Sequence, residues 1–257
     1  MVQNVPSVGS LVPARLSRHL LPLVPARYQR FEATDSWEQA ASMVSGYDSV
    51  PVPPPPRSGL AAGLEPTGNE LILMMGLQRL HAHLGSPPAL RVVDMGGARG
   101  DSSVAARRAL PDVEITWTVV ELPSAVEVLR DDGRDDVRYT ADLEAELSSG
   151  ADVTLASALL NYVPDPHRTL RILSQTSRSS LLLRLPLWPI ATDRTAAQRP
   201  RRGDRSFGYP TWFFSDAVFR AGEITGGTLL MDVESRDDRA YFDGHYGFHR
   251  ALAVAWS

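Results

Sequence analysis

Residues 91–103 read RVVDMGGARGDSS, and the partner those glycines meet decides the fold. A short β-branched run, Val92 and Val93, ends in an acid, Asp94. Gly96, Gly97 and Gly100 follow, and then small, helix-forming residues. This is how a strand turns sharply into a helix over a bound nucleotide. The dinucleotide fingerprint G-x-G-x-x-G cannot be laid on it, because Gly96 would need a partner at Ala98 and Gly97 one at Arg99. The looser pattern acid-x-G-x-G-x-G fits from Asp94 through Gly96 to Gly100, with Ala98 in place of the middle glycine. That spacing suits S-adenosylmethionine rather than NAD.

Outward from this turn, strand-like and helix-like stretches alternate in the βαβ manner. Strands are expected at 91–95, 114–121, 136–141, 152–157 and 179–186. Helices are expected in DSSVAARRAL, LPSAVEVLRDD, LEAELSSG and PHRTLRILSQTS, the last capped by Asp165 with Pro166 at its first position. Strands this uniformly apolar belong in a parallel sheet covered on both faces. Near the end, 215–222 reads as a capped helix. Residues 228–235 and 246–256 read as strands whose connection is too short for a helical crossover, hence an antiparallel hairpin. Upstream, TDSWEQAASMVSGYD predicts a helix capped by Asp35 or Ser36 and closed by Gly46. PVPPPPRSG (51–59) is extended, polyproline-like chain, and a second, well-buried helix runs from Thr67 or Asn69 to Gly85.

Composition narrows the chemistry. With 257 residues, 43% hydrophobic and 22% charged, the chain can bury one substantial core. It holds no cysteine, and its 26 basic residues are all arginine. Disulfides, thiolate nucleophiles, cysteine-ligated zinc, a Walker A lysine and Schiff-base or pyridoxal phosphate chemistry are therefore excluded. The formal charge of -4 gives no general attraction for nucleic acid. An arginine-rich stretch at 193–205, DRTAAQRPRRGDR, reads as a solvated loop. No apolar run approaches the ~20 residues of a membrane span. The short apolar patch at 16–28 is broken by two prolines and flanked by arginines, a poor signal peptide, so a cytoplasmic protein is expected.

Five pieces in order, SWEQAASMVSGYDS, VVDMGGARG, WTVVELPS, LASALLNYVPDP and YPTWFFS, resemble the class I S-adenosylmethionine-dependent methyltransferases. Within them the likeness is to a group with a D-x-G-G-x-x-G motif, often encoded near biosynthetic gene clusters. The resemblance implies an α/β, Rossmann-like fold: a seven-stranded, mostly parallel sheet with helices on both faces, a C-terminal antiparallel β-hairpin and an N-terminal helical cap. Residues 1–88 would form the cap and proline-rich linker, and 89–257 the catalytic domain. It also implies that Asp94, Gly96, Gly97 and Gly100 line the methionine and ribose of S-adenosylmethionine. Glu121 would take both ribose hydroxyls, with Leu122 and Leu143 beside adenine. Asp142 would accept from the adenine amine or, equally, cap a helix.

Ligands of open α/β sheets sit over the carboxyl ends of the strands, so Ser157 to Pro164 should face the reacting centre. Asn161 can donate and accept there, and Tyr162 can orient an acceptor. Tyr209 and Trp212 offer aromatic faces to a sulfonium cation. His81 and His83 lie two apart on a helix and cannot share a metal, and His245 and His249 fall far along the chain from strand four. No metal site and no obvious general base is evident, which leaves proximity as the main source of rate. The expected activity is methyl transfer to a small molecule of specialised metabolism, with no nucleic acid or membrane partner and a homodimer left open. The alternative is a cyclase in which the cofactor's own α-amine attacks its γ-carbon, releasing methylthioadenosine and azetidine-2-carboxylate. A third possibility, a non-catalytic binding protein, sits poorly with an intact acid and glycine turn.

Overall fold

Val92 and Val93 point to opposite faces of a strand that everything else is built around. The computed structural model describes residues 30–46, 59–132, 134–199, 208–222, 224 and 226–256. Along the chain the elements are β1 (Arg30–Thr34), α1 (Trp37–Ser42), α2 (Gly68–His83), β2 (Ala89–Met95), α3 (Ser102–Ala109), β3 (Glu114–Val120), α4 (Pro123–Asp132), β4 (Arg138–Thr140), α5 (Leu143–Ser148) and β5 (Val153–Ser157). There follow α6 (Pro166–Thr176), β6 (Ser179–Leu185), β7 (Leu187–Trp188), β8 (Arg194–Arg199), β9 (Tyr209–Ser215), α7 (Asp216–Gly222), β10 (Gly227–Phe242) and β11 (His245–Trp256).

Seven strands form the main sheet in the order β10-β11-β6-β5-β2-β3-β4. The pairs from β6 to β4 are parallel, and β11 runs antiparallel to both β6 and β10. Chain order reverses between β2 and β5, which creates a crevice at their carboxyl ends. Successive residues feed two cores: Val92, Leu155 and Leu181 meet α2, α3 and α4, while Val93, Ala156 and Leu182 meet α5, α6 and α7. Each fully buried Val or Leu side chain among these contributes about 1.5–3 kcal/mol.

Helix α2 begins with a capping box, in which the Thr67 hydroxyl accepts from Glu70 N–H and the Glu70 carboxylate accepts from Thr67 N–H. It packs against the sheet through Leu73, Leu77 and Leu80. The N-terminal part is therefore not a cap of helices alone: it carries the strand β1, and α2 belongs to the main core. The helix expected between a cap at Asp35 or Ser36 and Gly46 is cut to six residues, Trp37–Ser42, capped by Ser36. The proline-rich run lies outside the described residues apart from Gly59.

A second sheet, order β1-β8-β9-β7, was not expected. The stretch read as a solvated loop supplies β8, paired with β1 on one side and β9 on the other. Arg201, Arg202 and Arg205 lie outside the described residues. Register places Phe31, Ala196, Gln198, Tyr209, Thr211 and Phe213 on one face of this sheet. That face covers the carboxyl end of the main sheet, where Phe213 stacks on Phe242 of β10 at 3.9 Å between ring centroids. The hairpin itself is longer than expected. It closes in a two-residue turn at Asp243 and Gly244, both at positive φ (49° and 84°), the geometry that Asp-Gly favours.

Candidate functional site

The glycine turn is fixed from three sides. Gly96 N–H donates to Val120 O (2.8 Å), and the Tyr139 hydroxyl donates to Arg99 O (2.8 Å). The Glu121 carboxylate spans the turn, accepting from Ala98 N–H (2.9 Å) and from Leu122 N–H (3.2 Å). Each glycine answers to protein atoms. A Cβ on Gly96, at φ 65°, would lie 2.9 Å from Leu159 Cδ1, and one on Gly100, at φ 73°, 2.9 Å from Val137 Cγ1. On Gly97 it would collide with the Asp94 carboxyl. A side chain at Gly96 thus meets Leu159, not open ligand space. Ala98 adopts φ 50°, a left-handed backbone that favours glycine, so the missing middle glycine costs strain here.

Asp94 is 1% exposed; Oδ2 accepts from the Trp117 indole N–H (3.2 Å) and Oδ1 has no partner. Burial pushes its carboxyl up to about 8; the Glu121 charge adds to this and the Trp117 bond opposes it. Ser103 Oγ, just beyond the turn, is also buried without a partner. Leu122, next to Glu121, stands 43% exposed. Asp142 caps α5, accepting from Ala145 N–H at 2.9 Å, and Leu143 packs on the core beneath. Helix capping is thus the role the structure shows for Asp142.

Beyond β5 the chain passes Ser157 and Ala158 (φ 52°) into a 3-10 turn, Leu160–Tyr162. Asn161, 1% exposed, donates from Nδ2 to Thr211 Oγ1 (3.3 Å), and its Oδ1 has no partner. The Tyr162 hydroxyl donates to Gln198 Oε1 (2.7 Å), and its ring meets Tyr209 edge-on at 5.9 Å. Burial raises the Tyr162 phenol above its usual range. Asn161, Tyr162 and Tyr209 are therefore brought together. Trp212 is not with them: strand alternation turns it to the other face of β9, where it stacks on Trp37 (6.1 Å) and donates to Val163 O (3.1 Å).

Sequence reasoning missed a polar cluster beside this group. Arg184 lies in a β-bulge of β6, two residues (Leu183 and Arg184) opposing Ala251, and has φ 60°. Its guanidinium donates twice to Asp238, at 2.9 and 3.0 Å. Asp238 also accepts from Asn69 Nδ2 (2.9 Å) and Ser235 Oγ (3.0 Å). It is turned inward by a second irregularity, at 236–238 of β10. His249 sits opposite Ser235, facing this ion pair and the Trp188 ring (5.9 Å). The distance in sequence that argued against His249 is removed by the β6–β11 pairing. The one available signal was RDDR inside an otherwise alternating strand. Among the described residues no group of three or more His, Asp or Glu is placed to hold a metal. No described helix is long and apolar enough to cross a membrane.

No family model matches the chain, and no curated protein matches it. Solved structures do resemble it in part. The 1,6-didemethyltoxoflavin-N1-methyltransferase of Burkholderia thailandensis, with bound 1,6-didemethyltoxoflavin and S-adenosylhomocysteine, is 17% identical over 74% of this chain and 80% of its own, TM-score 0.46. The CcbJ methyltransferase from Streptomyces caelestis is 14% identical over 75% and 97%, TM-score 0.49. The mitomycin 7-O-methyltransferase MmcR is 19% identical over 72% and 54%, TM-score 0.41.

Proposed function

We propose that the protein binds S-adenosylmethionine in the crevice at the carboxyl ends of β2 and β3 and transfers its methyl group to a small molecule. The reading is carried by the Glu121 carboxylate, which reaches from the end of β3 over the glycine turn that follows β2, one strand away from where chain order reverses. A carboxylate has two acceptor oxygens, the complement of a ribose diol. Leu122 beside it presents apolar surface of the kind adenine needs, with Leu143 below. The buried atoms without partners at this turn, Asp94 Oδ1 and Ser103 Oγ, fit a ligand that supplies hydrogen-bonding groups.

Charge favours this ligand over a dinucleotide. Asp101 stands at the N-cap of α3, where a pyrophosphate would have to sit, and the Glu121 carboxylate flanks the same turn, while Asp94 is held protonated and adds no charge. Acids there suit the ammonium and sulfonium of S-adenosylmethionine. When bound, that sulfonium supplies a methyl group open to displacement by a lone pair. The chain's own contribution is placement: Ser157, Asn161, Tyr162 and Tyr209 stand at the reacting end, and in-line alignment alone contributes roughly 7–11 kcal/mol.

Calorimetry tests the cofactor: S-adenosylmethionine and S-adenosylhomocysteine should bind and NAD should not, and the reverse result overturns the reading. Mass spectrometry of a reaction given S-adenosylmethionine alone tests the chemistry. Neither methylthioadenosine nor azetidine-2-carboxylate should appear above the enzyme-free background. The cyclisation has no observation of its own in its favour, and stoichiometric azetidine would establish it.

A further inference from the structure

Leaving aside guanidinium nitrogens held in ion pairs, the buried side-chain atoms without partners among the described residues fall into two groups. Asp94 and Ser103 lie at the glycine turn; Asn161 Oδ1, Trp188 Nε1 and both ring nitrogens of His249 lie beneath the second sheet. The members of this second group sit on three elements linked through one face of β9. Asn161 hangs from Thr211 of β9, Trp188 meets Phe213 of the same strand at 5.0 Å, and His249 meets Trp188 at 5.9 Å. The rings packed beside them are aromatic: Phe31, Phe213 and Phe242, with Phe213 and Phe242 stacked 3.9 Å apart. The Arg184 backbone carbonyl approaches His249 without completing a bond of normal geometry.

A stable core does not leave an indole N–H and an imidazole unpaired, since each buried polar group without a partner is costly. Two β-bulges, at Leu183–Arg184 and at 236–238, aim residues at the same place, and bulges are commonly used to re-aim side chains at active sites. We infer that Trp188, His249 and Asn161 form the recognition subsite for the acceptor, and that the acceptor is a flat, uncharged aromatic or heteroaromatic molecule bearing a hydroxyl or N–H and a hydrogen-bond acceptor. The inference rests on the methyltransferase reading for the word acceptor; the binding chemistry stands on its own. Flatness follows from the aromatic rings beside these atoms, which favour a ligand that can stack. Neutrality follows from the charges at hand, because Arg184 and Asp238 already satisfy each other through two hydrogen bonds and leave no lone ionic partner for a charged ligand. Trp188 offers a donor, Asn161 an acceptor, and a neutral imidazole one of each.

The test uses three probes, hydroxyquinoline, naphthol and naphthalene, titrated by ligand-observed NMR with and without S-adenosylhomocysteine. Hydroxyquinoline should bind about tenfold or more tightly than naphthalene, as expected of a site built for polar groups, with naphthol between them. Trp188→Phe and His249→Leu should each remove most of that preference and leave S-adenosylhomocysteine affinity unchanged. His249→Leu also reports on folding. Replacing an unpaired buried imidazole should hold or raise the melting temperature, whereas a paired structural histidine would lower it. The inference is overturned if the three probes bind alike, if none binds a protein that binds S-adenosylhomocysteine, or if the variants keep the preference. Should the probes discriminate while S-adenosylhomocysteine fails to bind, the subsite stands and the methyltransferase reading falls.

Discussion

At Glu121, two backbone N–H groups hold a carboxylate across a turn that contains a strained alanine. Glu121→Ala should weaken S-adenosylmethionine binding by about 1.5–3 kcal/mol, the scale of hydrogen bonds to a charged group, with the fold intact by circular dichroism. Unchanged affinity by calorimetry would remove Glu121 from the site. Ala98→Gly should act the other way: φ 50° is relieved, and stability in urea should rise by about 0.5–1 kcal/mol. A loss would mean that the Ala98 methyl group makes a contact worth more than the strain. At this scale the sequence was partly legible. An acid at a strand end followed by glycines marks a sharp strand-to-helix turn, so Asp94, Gly96, Gly97 and Gly100 could be placed together, whereas Glu121 rested only on its place after WTVV and before Leu-Pro-Ser. What spacing could not say is that the glycines answer to Asp94, Leu159 and Val137, because those contacts depend on side chains distant in sequence or on how the turn closes.

Among the elements, the parallel strands and their helices were legible because each apolar run is bounded by its own stop signals. The second sheet was not. RTAAQR is too small and polar to read as a strand, and YPTWFFS carries apolar groups on both faces, which hides its alternation. Both faces are in fact used: Phe213 packs toward β10 and Phe214 toward α6 and α7. Phe213 is 1% exposed and touches Phe31, Trp188 and Phe242. Phe213→Ala should therefore cost about 3–5 kcal/mol in denaturant melts. S-adenosylhomocysteine affinity should hold, because the glycine turn lies on other elements. If affinity falls in step with stability, the two sheets fold and bind as one unit.

For the whole molecule, two buried groups set opposing responses to pH. Burial lifts Asp94 to about 8, so the folded protein keeps a proton that the unfolded chain gives up near pH 4. That contribution is full below pH ~4 and is lost as pH rises through about 8. Burial lowers His249 to about 4, outweighing the Asp238 carboxylate, so here the unfolded chain holds the extra proton. Its contribution is full above pH ~6.5 and is lost as pH falls toward 4. Between about 4 and 6.5 the two slopes cancel; between about 6.5 and 8 only Asp94 acts, and stability should fall by about 2 kcal/mol. The comparison is best made against variants, since shared surface groups then drop out. Relative to the parent chain, Asp94→Asn should gain stability steadily from pH ~5 to ~8 in ligand-free urea melts. His249→Leu should gain as pH falls from ~6.5 to ~4. If the Asp94→Asn and parent profiles run parallel, Asp94 is not held protonated in the folded protein.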